Sequence, residues 1–383
     1  MSRRSSLGST LEDTLRITSR GRVLGGIALI GSSALVLAGC AAAPEATDDS
    51  TDAASDFIPC MVSDLGGFDD KSFNQLGYEG ITEAADALGV EAITVQSDAE
   101  TDYGPNIQGL VDQGCALIVT VGFALSAATV EAALANPDVE FAIIDDAADN
   151  DFDGTVDAPN IKPIVFNTAQ AAFLVGYAAA SYSKAGIVAT WGGLPFPTVS
   201  IFSDGFAQGV AYYNSEKGTA VQVLGYDPAS PDTYTVTGGF EANDVAKTVA
   251  QNFIDQGADV LLPVGGPIYQ SAVAAIADSG KDIALVGVDA DLFVTDPTTE
   301  DIILTSILKG IKTATHDVVA AAGNDEFSGD AYIGTLENEG VGIAPFHDFE
   351  SKVSPTLADE LDTIKAGIID GSIKATSVSS PVK

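Results

Sequence analysis

The sequence predicts an α/β body of two lobes, each a doubly wound parallel sheet, and three observations predict it. From residue 57 onward, apolar strand-like runs alternate with amphipathic stretches, the pattern of parallel sheets covered by helices on both faces. This body spans roughly 325 residues, too many for one ordinary hydrophobic core. Its halves also share a plan: LVDQGCALIVTVGF at 110–123 returns as FIDQGADVLLPVGG at 253–266. Each copy is a helix end, Asp-Gln-Gly, a buried strand and Val-Gly, with the first Gly suited to a left-handed helix cap. Coincidence is the competing explanation, because such glycines are common between helix and strand.

Taken in order, the chain opens with Arg3, Arg4, Arg16, Arg20 and Arg22 ahead of VLGGIALIGSSALVLAGC. A basic region, an apolar core and small residues before a cysteine make an export signal over 1–39. Leu37-Ala38-Gly39-Cys40 resembles a bacterial lipobox, which implies lipidation at Cys40. The apolar run is broken by Gly and Ser and is marginal for a transmembrane anchor. Residues 40–56, AAAPEATDDSTDAASD at their core, have too little apolar surface to order and read as a tether.

The strand candidates are 57–64, 91–97, 116–122, 139–145, 162–167, 185–192, 219–226, 258–265, 283–289 and 302–308. Helical spacing marks 76–88, 105–114, 125–135, 169–183, 203–214, 241–256, 268–279 and 310–322. These assign 57–168 and 290–325 to lobe one and 169–289 and 326–383 to lobe two, with crossovers near 168, 290 and 325. Cys60 and Cys115 stand beside strands that a parallel sheet makes neighbours. In an exported chain this even pair is either a disulfide or two buried thiols.

Charge and motifs exclude several functions. The chain has 17 Lys and Arg against 54 Asp and Glu; beyond residue 39 the balance is 12 to 52. Such a surface does not neutralise nucleic-acid phosphates or lie flat on an anionic membrane, so only the lipid reaches the bilayer. There is no nucleophile elbow, zinc-protease motif, phosphate-binding loop or Cys/His metal cluster, and His316 and His347 are the two histidines. No cofactor or metal is called for, and an enzyme is the weakest reading. DNDFDGTVDAPN at 149–160 matches the opening of a calcium loop, but Asn160 stands where a bidentate Glu belongs and the flanks do not read as an EF-hand pair, so an acidic surface turn is the preferred reading.

Ligands of open parallel sheets sit beyond the carboxyl ends of the strands. That rule selects 64–74, 121–123, 145–146, 191–197, 265–269 and 289–291. The first holds GGFDDKSFNQ, in which Phe68 and Phe73 stand among glycines, acids and amides. Ser72 and Gln75 have capping-box spacing, so a helix beginning at Phe73 turns its first residues toward the cleft.

DLGGFDDKSFNQLGYEG, VGFALSAAT, FAIID, FSDGFAQG, LVGVDAD, ILTSILKGI and GVGIAPF occur in this order and cover 57 to about 375. Together they resemble the basic membrane protein family, lipid-anchored substrate-binding proteins of ABC transporters with a type I periplasmic-binding-protein fold. The resemblance implies a hinge, an interlobe cleft, an extracytoplasmic position on the cell membrane, and a permease with its ATPase as partners. It implies a nucleoside ligand: Phe73 and Phe206 stacking on the base, Asn74 and Asp145 on its edge, Gly265 and Gly266 beside the sugar. Asp289 and Lys309 would hold the ribose hydroxyls, and Asp64 matches the family's opening Asp. Ile201 stands where relatives often have a basic residue, and Asp146 where a glycine is frequent. A sugar or autoinducer-like ligand, or a surface sensor with the same pocket, fits the residues as well.

Overall fold

The computed structural model describes residues 57–381. The export signal, the tether and Cys40 lie outside the described residues. Among the described residues no helix is long and apolar enough to cross a membrane.

The first lobe is laid down as β1 (Pro59–Val62), α1 (Phe73–Leu88), β2 (Ile93–Val95), α2 (Tyr103–Asp112), β3 (Leu117–Val121), α3 (Ser126–Ala135), β4 (Glu140–Ile144) and β5 (Ile161–Phe166). The second follows as α4 (Thr168–Tyr182), β6 (Ile187–Gly192), α5 (Pro197–Lys217), β7 (Gln222–Leu224), α6 (Asp244–Asp255) and β8 (Val260–Val264). It continues through α7 (Ile268–Ser279), β9 (Ala284–Asp289), α8 (Leu292–Thr295) and β10 (Ile303–Lys309). The chain then returns with α9 (Ile311–Gly323) and β11 (Tyr332–Gly334), and ends in lobe two with β12 (Val341–Ile343) and α10 (Leu357–Ile369).

The sheets are ordered β11-β5-β4-β3-β1-β2 and β12-β10-β9-β8-β6-β7. Removing the outer strands β11 and β12 leaves the same doubly wound order twice, with its switch point between β1 and β3 and between β6 and β8. All pairs are parallel except β10 with β12. Central strands such as β3 and β8 are buried throughout, as sheets covered on both faces require. Cys60 and Cys115 are bridged, with Cα atoms 5.9 Å apart, tying β1 to the approach of β3.

The lobe boundaries differ from the sequence expectation in two places. β10 pairs with β9 in the second sheet, so 290–309 belongs to lobe two and the chain crosses at Gly310 rather than near 290. β11 pairs with β5 in the first sheet, so the last crossing lies between Gly334 and Val341 rather than near 325. An apolar run such as ILTSIL reports that it is a strand and not which sheet accepts it, and β11 is too short to read at all. The crossovers bind one another: Asn167 N–H donates to the Gly334 carbonyl at 2.8 Å, and Gly310 N–H to that of Gly340 at 2.8 Å. A Cβ on Gly340 would overlap the Gly334 backbone, so these strands meet only as glycines.

Candidate functional site

The carboxyl ends of both sheets face one interlobe cavity of about 760 Å³, measured out to its open mouth. Of the sequence candidates, Asp64, Phe73, Asn74, Asp145, Gly265, Gly266, Asp289 and Lys309 line it. Phe206 does not.

At the floor, α1 begins differently from the capping-box expectation. Asp70 accepts from the N–H groups of Ser72 (2.9 Å), Asn74 (2.8 Å) and Gln75 (3.1 Å), capping the first turn. Ser72 is thereby freed. Its hydroxyl crosses the cleft to the Val288 carbonyl at 2.7 Å, with Asp289 Oδ2 at 3.4 Å. The spacing S-x-x-Q was right for a cap, but the preceding Asp reaches the same amides with a charge. Asn74 spends its amide on the protein: Nδ2 donates to Asp64 Oδ1 (2.7 Å) and Asp70 Oδ2 (3.0 Å), and Oδ1 accepts from Asp64 N–H. It positions Asp64. Burial pushes the Asp64 carboxyl up to about 6, against the opposing bonds from Gly66 N–H and Asn74.

Asp145 and Asp289 end β4 and β9 with left-handed backbones, φ 61° and 65°. Asp tolerates that region better than most residues. Between them stands Lys309, 5% exposed, at the end of β10. Its Nζ pairs with Asp145 Oδ2 and lies 3.3 Å from Asp289 Oδ1. That distance is ionic contact without hydrogen-bond geometry, and Asp289 Oδ1 is buried without a donor. Burial raises the Asp289 carboxyl to about 6 although Lys309 opposes it, and raises Asp145 for the same reason. Lys309 is raised: burial disfavours its charge, but the two carboxylates outweigh burial.

Rings enclose this cluster. Lys309 Nζ lies 4.7 Å from the Phe202 centroid and 5.5 Å from that of Phe73. Phe202, from lobe two, is therefore the cavity-lining ring that shares this lysine with Phe73. Phe206, one helical turn on, is fully buried, its backbone carbonyl pressed against Gly176 of α4. Helical spacing puts the two rings on one stripe of α5, and only the close α4–α5 packing decides which end of that stripe is cavity. Phe68 packs on Tyr78 at 5.0 Å. Three further rings line the mouth: Phe123 of lobe one meets Phe196 of lobe two at 4.9 Å, and Phe240 lies 6.0 Å from Phe196. The strand-end rule covers 121–123 and 191–197, but Phe240 arrives on the loop before α6 and has no sequence signal. Its ring occupies the place a Gly265 side chain would take, which with φ 129° explains that glycine.

Other candidates lie apart. Trp191 is fully buried in lobe two, 5.3 Å from Phe253. Asp146 accepts from the Ser126 hydroxyl and Ala148 N–H. In the acidic loop, Asp149, Asp151 and Asp153 bring carboxylates within 4.8 Å of one another. Asn160 instead turns its amide to the carbonyls of Ala133, Asn136 and Val139, away from them.

Three likenesses bear on this geometry. An ABC transporter nucleoside-binding protein, BmpA, from Lactococcus lactis is 26% identical over 93% of this chain and 99% of its own. A CD4+ T-cell-stimulating antigen from Listeria innocua is 27% identical over 91% of this chain and 96% of its own. Among solved structures, an ABC transporter solute-binding protein from Aeropyrum pernix superposes with a TM-score of 0.72 at 24% identity, covering 83% and 92% of the two chains, which speaks for the fold. The family described as ABC transporter substrate-binding protein PnrA-like (Bmp) matches residues 57–376. With two doubly wound lobes around a ring-walled cleft and that match over nearly the whole described body, the chain belongs to the PnrA-like substrate-binding proteins of ABC transporters.

Proposed function

We propose that this protein binds a nucleoside, with purines preferred, between its lobes and presents it to a membrane permease whose ATPase supplies the energy. The base lies between Phe73 and Phe202, where stacking contributes about 1–3 kcal/mol per base. The pentose hydroxyls donate to Asp289 and Asp145, which as carboxylates give bonds roughly twice as strong as neutral ones. Lipid at Cys40 holds the receptor on the extracytoplasmic face of the membrane, with residues 41–56 as its leash. The observation that carries the reading is the pair of rings from opposite lobes flanking buried carboxylates, one of which lacks a donor. The Lactococcus relative, a nucleoside-binding protein, supports it.

A thermal-shift panel of nucleosides, free bases and sugars tests it. Nucleosides raise the melting temperature, and Phe202→Ala or Asp289→Ala abolishes the shift. Free bases shifting it equally would remove the pentose role from Asp289; sugars alone shifting it would make this a sugar receptor.

A further inference from the structure

The cavity is one-sided in charge. Among the described residues lining it, Asp64, Asp70, Glu100, Asp145 and Asp289 face one cation, Lys309. That lysine is already shared by Asp145 and Asp289. The amides at the start of α1, the usual seat for a phosphate, are taken by Asp70. Asp289 Oδ1, buried and met only by the 3.3 Å ionic contact of Lys309, has room for a donor and not for an acceptor. Beyond residue 39 the chain carries 52 acidic against 12 basic residues, so the surrounding net charge adds to the cavity's field.

We infer that the cavity is a charge filter: it admits uncharged or cationic ligands rich in hydrogen-bond donors and excludes their phosphorylated forms. Where only the phosphorylated form is at hand, phosphomonoester hydrolysis must therefore come ahead of binding. In that step water attacks phosphorus and the bond from phosphorus to the sugar oxygen breaks. That oxygen keeps the electron pair, takes a proton and becomes the hydroxyl, while inorganic phosphate leaves. The inference takes only the choice of probe from the nucleoside reading. A phosphate dianion a few ångströms from ionised carboxylates is repelled, and in a partly buried site that repulsion is weakly screened.

Calorimetry on the chain from residue 41 onward, at about pH 7.5 and at low and high salt, compares four probes. They are adenosine, adenosine 5′-monophosphate, the uncharged 5′-sulfamate of similar bulk, and 5′-amino-5′-deoxyadenosine. The monophosphate is expected to bind at least ~100-fold more weakly than adenosine, with the gap narrowing in salt. The sulfamate and the amine stay within about tenfold of adenosine, and Glu100→Gln recovers roughly three- to tenfold of the monophosphate affinity. A monophosphate that matches adenosine overturns the filter, and a sulfamate rejected equally makes the exclusion steric and also overturns it. If adenosine itself does not bind, the nucleoside reading fails while the filter is still judged by melting curves with inorganic phosphate. Phosphate must leave the midpoint where a chloride control of equal ionic strength leaves it; a rise sinks the filter.

Discussion

Asp145 and Asp289 close β4 and β9, matching strands in two sheets of one order, and both adopt the same left-handed backbone. Their surroundings are not equivalent. Asp145 holds the ammonium of Lys309, whereas Asp289 receives only its longer contact and keeps an oxygen without a donor. Repetition of one plan thus brings two carboxylates to one cavity from opposite lobes, and a single lysine beside a crossover breaks the symmetry. The scaffolds differ as well. Lobe one is stapled by Cys60–Cys115. Lobe two relies on α4 and α5 approaching so closely that a Cβ on Gly176, Gly205 or Gly209 would overlap the opposite backbone. One architecture therefore tolerates covalent and packed solutions to the same problem of holding a cleft wall.

The sharpest way to break this comparison lies in α5. Phe206→Ala empties a fully buried site in lobe two and is expected to cost about 3–5 kcal/mol of stability. Phe202→Ala, one turn away and also buried, is expected to cost a similar amount of stability and in addition to lower ligand affinity by about 1–3 kcal/mol. Denaturant melts and titrations on both variants separate the roles. Lost binding with an undisturbed melt in Phe206→Ala would reverse the two rings.

In lobe one the corresponding test is removal of the staple. The bridge closes a loop of 55 residues, and the double change Cys60→Ala with Cys115→Ala is expected to destabilise by about 2–4 kcal/mol. Neither cysteine lines the cavity, so affinity should hold below the melting transition. A melt indifferent to reductant would show that lobe one, like lobe two, is held by packing alone.

Much of this is legible in the sequence. The central strands announce themselves as apolar runs because burial on both faces forbids interruption, the partly exposed edge strands β2 and β7 are read from their spacing, and the rule that ligands sit at strand ends finds most of the cavity. What was not legible depended on contacts between distant segments. Nothing in ILTSIL names its sheet, and Tyr332–Gly334 is too brief for a period. Phe202 and Phe206 look alike until Gly176 of α4 and Gly205 and Gly209 of α5 fix how closely the two helices pack. Asp70 displaced Ser72 as the cap because a carboxylate two residues back reaches three amides at once, leaving the hydroxyl for the other lobe.

The smallest expected effect concerns pH and sets the two carboxylate environments against each other. Asp64 and Asp289 are raised to about 6 in the folded body by burial, above the roughly 3.9 of an unfolded Asp. The folded state therefore binds more protons than the unfolded state between these values, and ionising the pair costs stability. That cost is complete above about pH 6 and gone below about pH 4, so the unliganded protein should gain a few degrees on acidification from about pH 7.5 to 5.5. Asp289→Asn should reproduce part of the gain at neutral pH, on the order of 1 kcal/mol, while destroying binding. Ligand binding should respond in the opposite sense. Hydroxyl donors favour the ionised carboxylates, so affinity should fall as pH drops through about 6. Melting curves with and without nucleoside across that window measure both slopes. If the two move together, the cost of the buried acids is not what the ligand relieves, and the asymmetry between Asp145 and Asp289 has no part in recognition.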